Sequence, residues 1–83
     1  MLTLLTRAGC SLCATARTEL TRICDDFGVG FDEVDVDVVA TDGDPALRAE
    51  YGDRLPVVLL DGDEHSYWEV DEPRLRADLA RRR

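Results

Sequence analysis

Two cysteines three residues apart, Cys10 and Cys13, fall where the hydrophobic pattern of the chain changes its period. The run Leu2–Thr6 ahead of them is short and mostly apolar, which is typical of a buried strand. After Gly9 the apolar residues recur at steps of three and four, as on one face of a helix: Leu12, Ala16, Leu20, Ile23 and Phe27. The pattern therefore predicts a strand that leads into a helix, with both thiols at the junction.

The middle of the chain predicts three further features. The first helix is expected over about Ser11–Phe27, with Gly28 as its C-cap. Valines alternate with acidic residues over 31–38, which predicts a half-buried strand whose acidic face suits the edge of a sheet. The segment 44–52 begins with Asp-Pro and ends with Gly, which is typical of a short helix.

The last third of the chain predicts a hairpin and a helix. Pro56–Leu60 is strongly apolar, and an Asp-Gly turn connects it to a second strand over His65–Val70. An acidic pair followed by proline at 71–73 begins a final helix, with Leu75 and Leu79 as its buried stripe.

The predicted order is β-α-β-α-β-β-α, which places the chain in the α/β class. Because a helix separates the two early strands, they are expected to be parallel, with a right-handed crossover. The last two strands form an antiparallel hairpin. The 83 residues are expected to make one small domain.

The charge of the chain makes nucleic acid and membranes unexpected partners, and its hydropathy predicts a cytoplasmic location. The net charge of −8 repels phosphate backbones and anionic lipid, so neither nucleic acid nor a membrane is an expected partner. The apolar run at the start is too short for a signal peptide, and nothing approaches transmembrane length. A cytoplasmic location is therefore expected, where thiols stay reduced and a reactive or metal-binding pair is favoured over a structural disulfide.

The position of the two thiols favours redox chemistry. The free N–H groups and the dipole of a helix N-terminus favour an anion, so a thiol there loses its proton more easily. Cys10 is expected to be the more exposed and to attack a disulfide first. Cys13, one turn inside, then attacks the mixed disulfide and releases the reduced partner. Arg7, just ahead, can add positive potential.

The other candidate ligands and aromatic residues receive structural interpretations. A structural zinc site usually has four Cys or His ligands, typically as two pairs, and here only Cys24 and His65 remain, far apart in sequence. No metal site is therefore predicted. Cys24 is expected to be a small core residue, His65 to be exposed beside a turn, and Trp68 to pack in the core or on the sheet.

The Leu55-Pro56 step has two interpretations. A trans proline would merely begin the strand, whereas a cis proline would hold the preceding backbone beside Cys10. The presence of the cysteine pair at the first helix favours the second interpretation.

These motifs resemble a glutaredoxin, within the thioredoxin superfamily. More closely, the chain is similar to small bacterial glutaredoxin-like proteins that join C-x-x-C to an R-x-P-V-type segment, here Arg54 to Val57. The resemblance implies a four-stranded mixed sheet with helices on both faces and a cis peptide bond at Pro56. It also implies that Cys10 is the nucleophile, that Cys13 resolves, and that the Leu55 backbone pairs with an extended thiol substrate.

The chain departs from the usual glutaredoxin pattern at several points that concern its reductant. Ser-Leu replaces Pro-Tyr between the cysteines, and the stretch 67–72 lacks the Gly-Gly that holds glutathione. Arg7 stands where many glutaredoxins have Lys and is expected to bind a substrate carboxylate, the alternative being a plain surface cation. No bound cofactor is expected, and the implied reductant is glutathione, another low-molecular-weight thiol or a reductase.

The remaining expectations concern the protein as a whole. The substrate is expected to be a protein disulfide or a small-thiol mixed disulfide, and the chain is expected to be a monomer. Two other functions stay open: a [2Fe–2S] cluster shared between two chains, favoured by the missing proline at Ser11, and an interaction domain whose thiols are idle.

Overall fold

The computed structural model describes residues 1–82, and it contains four strands and four helices within them. The elements in chain order are β1 Leu2–Thr6, α1 Ser11–Phe27, β2 Phe31–Asp35, α2 Val36–Thr41, α3 Ala46–Tyr51, β3 Val57–Leu60, β4 Asp63–Tyr67 and α4 Glu72–Arg81. The α/β class is confirmed, and the predicted order differs from the observed one by one additional helix, α2.

The strands form a four-stranded mixed sheet in the order β2-β1-β3-β4. β1 pairs in parallel with β2, so that Leu5 lies opposite Val34, and antiparallel with β3, so that Leu5 also lies opposite Val57. β3 and β4 form the antiparallel hairpin. The mixed sheet, the parallel early strands and the edge position of β2 are confirmed.

Two buried clusters fill the two faces of the sheet. The first cluster joins one face to α1 and α4: Leu2, Leu4, Ala16, Leu20, Ile23, Cys24, Val58, Leu60, Val70, Leu75 and Leu79. The second cluster joins the other face to α2 and α3: Leu5, Cys13, Val36, Leu55, Val57 and Leu59, with Leu47 and Tyr51 packed against them. Helices therefore lie on both faces, as predicted, and the second cluster brings Cys13 and Leu55 together.

The prediction of a strand as far as residue 38 is wrong, because the strand ends at Asp35 and a helix begins. The Asp35 carboxylate accepts hydrogen bonds from the backbone N–H groups of Asp37 and Val38, at 2.9 and 3.1 Å. This is an N-cap, which satisfies the free donors of a first helical turn. Val36 is fully buried, whereas Val38 is 55% exposed, so the two valines do not share a core face.

The hairpin is shorter than predicted, and its last part leaves the sheet. Its turn is Asp61–Gly62, where both residues have positive φ angles, of 53° and 87°. β4 ends at Tyr67 rather than Val70. Trp68, with a φ of 68°, turns the chain away from the strand direction.

His65 is buried, and the expectation that it is exposed is wrong. Its side chain is 5% exposed, with Nε2 lying 2.8 Å from Oδ2 of Asp78 on α4. Arg74, also on α4, donates to the His65 carbonyl. The burial comes from a helix further along the chain, whose docking position local periodicity does not give. Across residues 1–82, no helix combines the length and apolarity that crossing a membrane requires.

Candidate functional site

Cys10 is the N-cap of α1, and its sulfur takes part in the cap. The Cys10 backbone is extended (φ −95°, ψ 109°), and its Sγ accepts a hydrogen bond from the Cys13 N–H at 3.1 Å. Cys10 and Cys13 are joined as a disulfide, with their Cα atoms 5.2 Å apart. The strand-to-helix junction therefore holds the two sulfurs in bonding geometry and aims a backbone donor at the outer one.

The two cysteines differ in exposure and share a favourable electrostatic setting. Cys13 is 1% exposed and lies in the second buried cluster, whereas Cys10 is only partly buried against that cluster. The first turn of α1 carries no acidic side chain that would oppose an anion. The positive end of the helix dipole consequently acts on Cys10 without local neutralisation.

Arg7 is held by a carboxylate of the protein itself. Its Nε and Nη2 donate to the two carboxylate oxygens of Asp37, at 3.1 and 3.0 Å, and its Nη1 donates to the Gly52 carbonyl at 3.4 Å. This bidentate pair holds the pKa of Asp37 below its usual range. The Arg7 guanidinium, which the sequence analysis assigns to a substrate carboxylate, thus binds the Asp37 carboxylate on α2. Its role in substrate binding stays a prediction.

The peptide bond between Leu55 and Pro56 is cis, as the resemblance implies. The Trp68 N–H donates to the carbonyl of Pro56 at 2.8 Å and to that of Arg54 at 3.3 Å. Within residues 1–82, the Leu55 N–H and carbonyl between them have no hydrogen-bonding partner. The Leu55 side chain packs in the same cluster as Cys13. An unpaired backbone segment therefore lies on the cluster that also contacts Cys10.

Arg54 fixes this segment, a role that sequence reasoning missed. Its guanidinium makes two hydrogen bonds of 2.9 Å to the Glu64 carboxylate and one of 2.8 Å to the Glu50 carbonyl. It also lies over the Tyr51 ring, 5.1 Å from the centroid. The Arg54 guanidinium holds the pKa of Glu64 below its usual range. The one sequence feature that points to Arg54 is its place in the R-x-P-V segment. That motif does not indicate which residues Arg54 binds.

Three large apolar side chains are exposed together beside the disulfide. Leu12, Tyr67 and Trp68 are 55%, 50% and 56% exposed, and with Glu69 they line a cleft of about 520 Å³. The interpretation of Trp68 as a core or sheet-packing residue is wrong. Because Leu12 lies between the two cysteines in the chain, this cleft adjoins the redox pair.

Cys24 is a core residue, as predicted. It is 2% exposed, and burial raises the pKa of its thiol, with a further contribution from Asp25. Among residues 1–82, no three His, Cys, Asp or Glu side chains come close enough together to hold a metal ion.

Residues 1–80 match the Glutaredoxin-like domain family (DUF836). Over 78 residues the chain is 62% identical to an uncharacterized protein of Mycobacterium tuberculosis, and the alignment covers 94% of this chain and 80% of the relative.

Two solved structures are similar over nearly the whole chain. Protein XcR50 from X. campestris is 35% identical with a TM-score of 0.60, and the match covers 98% of this chain and 97% of that chain. NrdH-redoxin from Escherichia coli, a glutaredoxin-like protein with a thioredoxin-like activity profile, is 28% identical with a TM-score of 0.54, covering 94% and 92%. These similarities agree with the fold described above.

Proposed function

Because the chain belongs to the glutaredoxin-like domain family, within the thioredoxin superfamily, we propose that it is a thiol-disulfide oxidoreductase. The observation that carries the proposal is the N-cap geometry. Cys10 Sγ accepts the Cys13 N–H at the start of α1, while Cys13 lies buried directly behind it. A sulfur at this position is suited to act as a thiolate nucleophile.

In the first step, the Cys10 thiolate attacks one sulfur of a substrate disulfide. A bond forms between Cys10 Sγ and that sulfur, and the substrate S–S bond breaks. The leaving sulfur takes the bonding electron pair and then a proton. The Cys13 N–H and the free N–H groups of the first turn stabilise the thiolate before the attack.

In the second step, the Cys13 thiolate attacks Cys10 Sγ and releases the second substrate thiol. The Cys10–Cys13 disulfide forms, so two electrons have passed from the cysteine pair to the substrate. The Cα separation of 5.2 Å accommodates this bond. An external thiol or a reductase then returns two electrons and restores the dithiol.

The unpaired Leu55 backbone supports substrate binding by strand addition. Its N–H and carbonyl face no partner within residues 1–82, while the carbonyls on either side are held by the Trp68 N–H. An extended segment next to the substrate cysteine can pair with Leu55, with Pro56 fixing the turn. We assign Leu55, Pro56 and Arg7 to the substrate site.

The electron donor is proposed on the strength of the relatives. NrdH-redoxin has a thioredoxin-like activity profile, which supports a thioredoxin-like role for this chain, and we propose a reductase as its donor. Glutathione or another low-molecular-weight thiol is the alternative. No resident cofactor takes part in either scheme, and the substrate is a protein disulfide or a small-thiol mixed disulfide.

Variants of the three cysteines test the proposal with bis(2-hydroxyethyl) disulfide as substrate and dithiothreitol as reductant. Cys10→Ser should lower the rate to the uncatalysed background, because the attacking sulfur is gone. With dithiothreitol left out, reduced Cys13→Ser should stop at a mixed disulfide, which added dithiothreitol then releases. Cys24→Ala, the matched control at a buried thiol, should keep the wild-type rate.

The competing functions give different results in the same preparations. Full activity in Cys10→Ser would overturn the assignment of the nucleophile. Wild-type protein that is inactive with every thiol donor would favour an interaction domain with idle thiols. Colour and bound iron in protein purified without oxygen would favour a [2Fe–2S] module.

A further inference from the structure

The Arg54 guanidinium connects the two elements that flank the cis-proline segment. On one side, it donates to the Glu50 carbonyl at 2.8 Å, and this carbonyl is one of the last of α3, which lack partners within the helix. On the other side, its Nε and Nη2 donate to the two carboxylate oxygens of Glu64 on β4, each at 2.9 Å. Because Arg54 directly precedes Leu55, these bonds tie the start of the segment to both α3 and β4.

The main chain of Arg54 is held as well as its side chain. Its N–H donates to the Tyr51 carbonyl at 3.1 Å, and its carbonyl accepts the Trp68 N–H at 3.3 Å. The guanidinium also lies over the Tyr51 ring, which packs against the second buried cluster. Residue 54 is therefore fixed at its N–H, its carbonyl and its guanidinium. The next residue, Leu55, makes no backbone hydrogen bond within residues 1–82.

The contrast between these two neighbours indicates the role of the arginine. A free N–H and carbonyl that must be ordered at the moment of binding weaken the affinity for an added strand. In this protein the bonds of Arg54 order the segment before a substrate arrives. We infer that Arg54 is a positioning residue, which holds the free Leu55 N–H and carbonyl ready to pair with the backbone of an extended polypeptide disulfide. The inference rests on the proposed function and adds the residue that sets its preference for polypeptide over small-thiol substrates.

The geometry of the pair suits positioning. The side chains of Arg54 and Glu64 are 25% and 28% exposed, and their contact is bidentate, which fixes direction as well as distance. Two further carboxylates lie near the same guanidinium, Asp53 at 3.0 Å and Glu50 at 4.0 Å. Lysine has a single compact ammonium, so it would not reproduce the fork to Glu64 together with the bond to the Glu50 carbonyl. The planar guanidinium is therefore matched to both partners at once.

Two synthetic hexapeptides with the same side chains test the inference. Each carries one cysteine as a mixed disulfide with 2-mercaptoethanol, and in one of them the residues on either side of the cysteine are N-methylated, which removes their backbone donors. With dithiothreitol as reductant, the wild type should have a kcat/KM for the unmethylated peptide roughly tenfold above that for the N-methylated one, the effect of one or two backbone hydrogen bonds. A ratio of one would overturn the inference.

Arg54→Met keeps an unbranched side chain and removes the guanidinium. Its kcat/KM for the unmethylated peptide should fall roughly fivefold to thirtyfold, the range for ordering one backbone residue on binding. Its kcat/KM for bis(2-hydroxyethyl) disulfide, which has no backbone to pair, should fall much less, and the ratio between the peptides should approach one. Arg22→Met, the control, removes a bidentate pair with Glu72 of the same kind and should keep the wild-type ratio. An equal loss with all three substrates would show that Arg54 only stabilises the fold and would overturn the inference.

Glu64→Gln is a second and milder variant, which decides the question if Arg54→Met does not fold. Glutamine keeps the size of the side chain and one acceptor oxygen, so the ratio between the peptides should lie between those of the wild type and Arg54→Met. In the Arg54→Met background it should change the ratio little further, because the two residues act through one contact. A wild-type ratio in Glu64→Gln, or additive effects of the two substitutions, would overturn the inference.

The proposed function can fail separately. If the wild type reduced neither the peptides nor bis(2-hydroxyethyl) disulfide, the oxidoreductase proposal would fall and this inference with it. If the wild type reduced both peptides equally and Cys10→Ser reduced neither, the oxidoreductase would stand and the positioning role of Arg54 alone would be wrong.

Discussion

Cys10 differs from the other two thiols in what surrounds its sulfur. Cys13 and Cys24 are 1% and 2% exposed, and burial raises the pKa of Cys24. Cys10 is partly open to solvent, and its sulfur accepts a backbone N–H at a helix N-terminus. Among the three, only Cys10 combines access for a substrate with groups that stabilise a thiolate.

The Arg7–Asp37 pair predicts how the reactivity of Cys10 depends on pH. Asp37→Asn removes an anion and frees the Arg7 guanidinium, so positive potential near the thiol increases. The pH profile for alkylation of reduced Cys10 by iodoacetamide should move to lower pH by roughly half a unit, the effect of one nearby charge in water. Arg7→Gln should move the profile the other way. A shift of both variants in the same direction would contradict the claim that these two charges act on Cys10 through space.

At this scale the sequence predicts local features better than distant partners. The pairing of Cys10 with Cys13 and the cis proline follow from motifs whose residues are adjacent or three apart. The partner of Arg7 does not follow from a local motif. Asp37 lies on a helix, whereas the alternating pattern of 31–38 predicts a strand there. The predicted packing of Trp68 in the core or on the sheet is wrong, because its exposure depends on a positive φ that tryptophan disfavours.

Helices α1 and α4 are joined by a network of ion pairs above their shared apolar cluster. Glu72 lies between Arg22 and Arg76, with hydrogen bonds of 2.9 to 3.0 Å, and Arg76 also pairs with Asp26 at 2.8 Å. The two guanidinium groups lower the pKa of Glu72 to about 2. The network stabilises the docking of the final helix on the first.

Glu72 gives this network a defined pH dependence. Because its folded pKa is about 2 against an ordinary 4.5, its contribution is complete above pH 4.5 and is lost as the pH falls towards 2. Urea denaturation over this range should show a steeper loss of stability in the wild type than in Glu72→Gln. Asp32→Asn, on the exposed edge strand, is the control and should follow the wild type. Identical profiles for wild type and Glu72→Gln would contradict the network.

Elements with a long, regular spacing of apolar residues are predictable from the sequence. An element whose start depends on a single N-cap residue is not. α1 runs over Ser11–Phe27 as predicted, because Ala16, Leu20 and Ile23 recur on its buried face. The prediction that Leu12 shares this face is wrong, because its side chain is 55% exposed. The sequence predicts β2 three residues too long, since its Val-Asp alternation suits a strand. The same alternation puts an aspartate at position 35, where it acts as the N-cap of α2. That choice is decided by the packing of Val36 into the second cluster.

In the molecule as a whole, the second buried cluster connects the parts of the candidate site. It contains Cys13 and Leu55, contacts Cys10, and lies beneath α2 and α3. The first cluster, with α1 and α4, supports the opposite face of the sheet. The helix N-terminus and the unpaired backbone thus meet on one buried cluster. Sequence reasoning predicted the fold and the cysteine pair, whereas the cleft required the three-dimensional arrangement.

The central claim is that Cys10 attacks and Cys13 resolves, and intact-mass measurement of a trapped intermediate tests it most directly. Reduced Cys13→Ser protein is mixed with bis(2-hydroxyethyl) disulfide and quenched with acid; its intact mass is measured, and a digest then locates the adduct. We predict one mercaptoethanol adduct per chain, located on Cys10, whereas the wild type accumulates no adduct and forms the Cys10–Cys13 disulfide. An adduct on Cys24, or a stable adduct in the wild type, would contradict the account.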